Sequence, residues 1–187
     1  MTVVASRFAR SPNDLYETEP WATRALLRHF PSVCGRPIWE PAAGNHKIAD
    51  VLTETGAIVH TSDVVAHKPW EDIYDFLKAS PEPSGWDIIT NPPYGPHNRD
   101  AAKFARLALQ RTNGWVALLL TAKFDFGKTR RDLFADCPRF AFKIALVDRI
   151  QWFPGDIGTE DHCWLVWGPL FQPQPPKLYY EGRAGNE

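Results

Sequence analysis

Apolar residues along this chain recur at two spacings that take turns. Over 20–30 they fall at helical intervals, with Trp21, Ala25, Leu26 and Leu27 sharing a stripe, which predicts a helix. Ile38-Trp39 is a short apolar strand running into Glu40. Helical spacing returns over 48–55 and stops at Gly56, a residue suited to ending a helix. A β-branched strand is expected over 57–61, ending at Ser62-Asp63, and another over 87–90, stopped by Asn91-Pro92-Pro93. A helix over 100–110 is closed by Asn113-Gly114. The run 115–120 is apolar without alternation, as expected of a strand covered on both faces. A short helix over 129–135 and strands over 140–147 and 162–167 complete the pattern.

This alternation predicts one three-layer α/β domain over 1–168 with a mostly parallel sheet of seven strands. The loop 150–161 is too short for a helical crossover, so the last two strands are expected to form an antiparallel hairpin at one sheet edge. The start of the chain, 1–14, looks irregular. Pro169, Pro173, Pro175 and Pro176 predict that 169–187 leave as an extended Pro-rich tail. Sheets of this kind bind ligands at the carboxyl ends of their strands. The residues to inspect are therefore Glu40 to His46, Asp63, Asn91 to Tyr94, and Thr121 to Phe124.

Composition narrows the picture. With 187 residues, 44% of them hydrophobic, the chain can bury one ordinary core. A formal net charge of -1 means that any nucleic-acid footprint is local. Cys34, Cys137 and Cys163 are far apart, with no CxxC and no paired histidine nearby. They read as reduced core thiols, and no metal site is expected. Met1 to Arg10 lacks a signal-peptide apolar core, and no run approaches the ~20 apolar residues of a membrane span. The expectation is a cytoplasmic protein without a membrane partner.

Asn91-Pro92-Pro93-Tyr94 is the most informative segment. An amino group conjugated to a purine ring is a poor nucleophile, because its lone pair is delocalised into the ring. Two acceptors on its N–H hydrogens can draw that lone pair out. The Asn91 side-chain carbonyl can be one and a proline backbone carbonyl the other. Proline fixes φ and donates no N–H, so a Pro-Pro pair holds carbonyls in a rigid frame, as in-line attack requires. Tyr94 can stack on the flat face of a base flipped out of a duplex. Asn and Pro also serve simply to end strands, and the tetrapeptide alone leaves both readings open.

The segment resembles motif IV of amino-methyltransferases with the class I, Rossmann-like fold, and the chain as a whole is similar to small phage or mobile-element DNA N6-adenine methyltransferases. The resemblance implies S-adenosylmethionine as cofactor, with Asn91 holding the target amine and Tyr94 stacking on it. Ile38 to His46 resembles motif I, a strand followed by acid-Pro-x-x-Gly-x-Gly. It brings Glu40, Pro41, Ala42 and Gly44 to the cofactor, and His46 stands where the pattern has its final glycine. Asp63 follows the next strand, at the distance beyond Gly44 that suits an acid accepting the ribose hydroxyls. Asp75 and Phe76 resemble the pair that meets the adenine amine and ring. Tyr16 to Trp21 resembles motif X, which closes over the methionine end through Tyr16 and Thr18, with Glu19 inserted before the proline.

On the substrate side, 123–149 carries seven basic residues against four acidic ones. Basic groups among aromatics suit a nucleic-acid strand, and an ordinary solvated face reads the same way. Lys123 is a candidate substrate-binding residue. The resemblance assigns Phe153, or Trp152 in its place, to the aromatic opposite Tyr94; both could also be hairpin core. The expected partner is nucleic acid, DNA before RNA. No stretch is left for a separate recognition domain, so short loops or a specificity partner would choose the target. RNA adenine-N6 methylation, protein glutamine-N5 methylation and a non-catalytic partner subunit are the alternatives.

Overall fold

The computed structural model describes residues 16–78, 85–152, 158, 160–169 and 175–183. Among them are helices α1 (Pro20–Leu27), α2 (Lys47–Glu54) and α3 (Arg99–Arg111). The strands are β1 (Pro37–Glu40), β2 (Ile58–Asp63), β3 (Asp72–Ile73), β4 (Asp87–Thr90), β5 (Val116–Thr121), β6 (Phe140–Leu146), β7 (His162–Trp167) and β8 (Lys177–Glu181). They form one sheet in the order β3-β2-β1-β4-β5-β7-β6-β8. β1 to β5 are parallel where they pair, β7 runs antiparallel to β5 and β6, and β8 is parallel to β6. The mostly parallel α/β architecture expected from the pattern is the one observed.

The central strands show why their sequences do not alternate. Every residue of β5 and β7 is buried. Val116, Leu118 and Leu120 enter a core with Ile88 and Phe104 on the α3 side. Ala117 and Leu119 enter a second core with Leu26 of α1 and Leu52 of α2. β7 splits in the same way, with Cys163, Leu165 and Trp167 on one face and Trp164 and Val166 on the other. Both indoles satisfy their N–H while buried: Trp164 donates to the Ala22 carbonyl and Trp167 to the Leu133 carbonyl, each at 2.7 Å.

Four expectations need correction. The sheet has eight strands, not seven, and the β6–β7 hairpin is not its edge, because β8 pairs along β6 from Phe142↔Lys177 to Leu146↔Glu181. The tail is therefore not a free arm throughout. Its prolines end at Pro176, and the residues of β8 that follow keep their N–H groups for a ladder. Glu181 accepts from Arg28 Nε at 2.7 Å and faces His29 Nε2 at 2.6 Å, while Tyr179 stacks on His29 at 3.9 Å. Around 129–135 the chain forms a 3-10 helix, Lys128–Leu133, instead of an α-helix. Arg106 occupies the Thr129 carbonyl that an α-helix would use internally. Of the three thiols only Cys163 is buried; Cys34 is exposed in the α1–β1 connection and Cys137 is half-buried. The irregular start expected over 1–14 lies outside the described residues. Among the described residues no helix is long and apolar enough to cross a membrane.

Candidate active site

The carboxyl ends of β1, β2 and β4 open onto one cleft of about 740 Å³. Tyr16 and Thr18 reach it from the segment before α1, and Glu40, Pro41, Ala42 and Gly44 from the end of β1 and its turn. Asp63 enters at the end of β2, Asp75 and Phe76 after β3, and Asn91 and Pro93 after β4. Parallel neighbours place their carboxyl ends side by side, so residues far apart in sequence converge here.

The turn after β1 is held from below. Gly44 N–H donates to Asp63 Oδ2 at 2.9 Å, and Val65 N–H approaches Oδ1 at 3.4 Å. Each carboxylate oxygen keeps a lone pair for a ligand hydroxyl. His46 has φ 65 and ψ 20, in the left-handed region. That is why a glycine suits this position; a side chain there costs about 1–2 kcal/mol, although His tolerates it better than most residues. Glu40 is 1% exposed, and its Oε2 has no hydrogen-bond partner. Burial drives its carboxyl well above the usual range. A backbone bond at Ala49 opposes this, and nearby Asp63, Asp50 and Glu71 reinforce it.

Asp75 accepts from Leu77 N–H at 3.0 Å and pairs with Lys78 at 2.9 Å, and the Lys78 bond lowers its pKa. Phe76 lies on the cleft wall with both ring faces taken. Phe104 lies 4.0 Å from its ring at 20°, and the Arg111 guanidinium carbon is 4.1 Å from its centroid. Two groups this close require opposite faces, so a ligand can meet only the ring's edge.

Asn91 is anchored by its nitrogen. Nδ2 donates to the Tyr16 carbonyl and the Thr18 hydroxyl, both at 3.3 Å, which leaves Oδ1 as the acceptor for the cleft. Pro92 is buried, while Pro93 stands on the cleft wall. Gly95 then turns the chain with φ +63, and a Cβ there would lie 2.1 Å from Asp100 Oδ2. His97 and Asn98 are also left-handed, at φ 53 and φ 59, and Asn98 Nδ2 donates to Thr121 Oγ1 at 3.3 Å. This bent link fastens the Asn-Pro-Pro-Tyr turn to the end of β5. Sequence reading did not single out Gly95; a glycine directly after the motif was the available signal.

The substrate-side residues gather less tightly. Tyr94 and Lys123 are not part of the cleft wall. Tyr94 donates its hydroxyl to the Leu119 carbonyl at 3.2 Å, and its ring lies 6.2 Å from His162 at 30°. Lys123 is exposed where the 3-10 turn Phe124–Phe126 begins. Phe153 lies outside the described residues. Trp152 stands edge-on to His162 at 5.0 Å and to Tyr16 at 5.6 Å. Among the described residues His162, which sequence reading passed over as the start of a strand, stacks on Tyr94. It is 3% exposed, and its Nδ1 lies 3.0 Å from the Glu160 carbonyl, which fixes the proton on Nδ1. Burial lowers its pKa to about 4, so it is neutral at pH 7. In the basic stretch Asp125, Asp132 and Asp136 are each ion-paired, while Lys123 and Lys128 are exposed. Among the described residues no cluster of His, Cys, Asp or Glu could hold a metal ion.

Solved structures share this fold at low sequence identity. A candidate RNA methyltransferase from Pyrococcus horikoshii superposes with TM-score 0.61 at 14% identity, over 80% of this chain and 84% of that one. A candidate class I S-adenosylmethionine-dependent methyltransferase from Listeria monocytogenes gives 0.60 at 13% identity, over 87% of this chain and 63% of that one. A chain from a type I R-M system complex gives 0.58 at 12% identity, over 93% of this chain and 46% of that one. The chain thus spans less than two thirds of the Listeria protein and about half of the R-M chain. The fold is Rossmann-like, of the kind these methyltransferases have. No protein-family model matches the sequence, and no curated protein does.

Proposed function

We propose that this chain is an S-adenosylmethionine-dependent methyltransferase acting on an exocyclic amine, N6 of adenine in nucleic acid, with DNA preferred to RNA. The observation that carries the reading is the orientation of Asn91. Its nitrogen is spent on Tyr16 and Thr18, so its oxygen accepts from an amine in the cleft. With a proline carbonyl as second acceptor, both amine hydrogens are held and the nitrogen lone pair is drawn out of conjugation. The bent link at Gly95 to Asn98 keeps this pair from drifting, and the reaction rewards such rigidity.

The cleft fits the cofactor. A fully buried carboxylate with an unpartnered oxygen, Glu40, is costly to ionise alone and is suited to a ligand's ammonium group. Asp63 keeps lone pairs for ribose hydroxyls, and Gly44 leaves room for close backbone approach. When bound, S-adenosylmethionine supplies an electrophilic methyl group on a sulfonium centre. The chain's own contribution is to orient the amine and to exclude water from the buried end of the cleft. The neighbours described as an RNA methyltransferase and an R-M system component support a nucleic-acid substrate. Exposed Lys123 and Lys128 offer phosphate contacts.

The test is transfer of labelled methyl from S-adenosylmethionine to DNA, RNA and protein extract in parallel, with Asn91→Ala as control. Label in adenine, lost in the variant, is the expected result. Label confined to protein would favour glutamine and overturn the adenine assignment. No transfer to any of the three would favour a non-catalytic subunit.

A further inference from the structure

The segment between β2 and β3 forms one wall of the cleft through Val64, Val65 and His67. Little packs on it: Val64, Val65 and Trp70 are 46%, 45% and 74% exposed. Glu71 is the exception. Its side chain is fully buried, and its Oε1 lies 3.2 Å from Nε2 of His46, which is itself 7% exposed. The two atoms are within ion-pair distance, though not aligned as a hydrogen bond, and neither has another hydrogen-bond partner. The second oxygen of Glu71 accepts His67 N–H at 2.6 Å, inside the same segment. His46 meanwhile occupies a left-handed position that glycine would fill without strain. The chain thus carries a strained residue whose imidazole faces the one buried acid of the neighbouring segment.

We infer that His46 and Glu71 are a buried clasp that fastens the β2–β3 segment to the turn after β1 and preshapes the cofactor wall. The inference rests on the reading of the cleft as a cofactor site. Both are positioning residues, and neither reaches the reacting atoms. The clasp replaces a glycine's freedom with a cross-link: the turn loses ease of bending, and the segment carrying Val64, Val65 and His67 gains a fixed seat. Removing the acid frees the segment at two points, since His67 N–H loses its acceptor as well. Affinity for the cofactor then falls, while turnover at saturating cofactor stays.

The clasp is tested first without ligand, by hydrogen exchange on the wild type, Glu71→Ala, Glu71→Gln and His46→Gly. The expected result is roughly tenfold faster exchange over 64–71 in Glu71→Ala and His46→Gly, with β5 and β7 unchanged and Glu71→Gln close to wild type. His46→Gly relieves the backbone and serves if Glu71→Ala does not fold. Calorimetry with S-adenosylmethionine should show about tenfold weaker binding for Glu71→Ala and unchanged kcat at saturation. Unchanged exchange over 64–71, or faster exchange spread over the whole sheet, would overturn the clasp. Failure of the wild type to bind S-adenosylmethionine would overturn the cofactor reading instead, and the exchange data would still decide the clasp.

Discussion

The two halves of the cleft region are built differently. From Glu40 to Asp75 the residues that meet the cleft follow the ends of adjacent parallel strands, and the hydrogen-bonded sheet sets their spacing. From Tyr94 onward the corresponding residues sit on turns. There a side chain's direction depends on whichever distant group it finds, as Tyr94 finds the Leu119 carbonyl. Every residue expected around the cofactor lies on the cleft wall, whereas Tyr94 and Lys123 do not. A ligand site made of strand ends is close to a consequence of topology. One made of loops has to be fixed contact by contact, and Asn91, tied to Tyr16 and Thr18, is where the two kinds meet.

The sharpest way to break this comparison is at that junction. Asn91→Ala should lower the rate of methyl transfer by on the order of 10²–10³-fold, as loss of a preorganised polar contact does, while cofactor affinity stays within a few-fold. Calorimetry alongside the rate assay decides it: loss of both would make Asn91 part of the cofactor half alone.

The next effect sets the halves against each other through pH. In the ligand-free protein Glu40 has a raised pKa, so the folded state holds a proton that the unfolded chain releases above about pH 4.5. Stability therefore falls as pH rises from there through the raised value, and Glu40→Gln should remove that fall. His162, lowered from 6.5 to about 4, has the opposite sign: stability is present above pH 6.5 and drains away as pH falls towards 4. By pH 4 that loss is about 3 kcal/mol, and His162→Phe should flatten it. Urea unfolding from pH 4 to 8 on both variants checks the two signs; parallel curves would show that neither buried group titrates as its surroundings imply.

The smallest effect belongs to Lys123. Lys123→Ala should weaken oligonucleotide binding only a few-fold and reduce the salt dependence by about one phosphate's worth. Anisotropy titrations at several salt concentrations measure it, and an unchanged slope would take Lys123 out of the interface.

Much of the fold was legible because buried strands write themselves as unbroken apolar runs. The expected 87–90 and 162–167 coincide with β4 and β7. β3 was invisible for a simple reason: two exposed residues carry no period. β8 was hidden by its prolines, which marked the whole tail as irregular although they stop before Lys177. On the cleft, the resemblance to motifs I, IV and X pointed to residues that line the wall. The occupied faces of Phe76 were not legible, because Phe104 and Arg111 both reach it from a helix downstream. Glu71 was missed because nothing local marks it; its meaning comes from His46, on the far side of a helix and a strand.

The strand at the end of the sheet also sets a schedule. Glu181 of β8 bonds Arg28 and faces His29, at the end of α1, almost the whole domain upstream. A chain emerging from the ribosome can therefore pair β1 with β4 and β4 with β5 before α1 finds the partner for its last turn. Until then the outer side of β6 stands as an open edge, able to recruit another strand. With β8 in place the edge passes from β6 to a shorter strand that Glu181 pins to the end of α1.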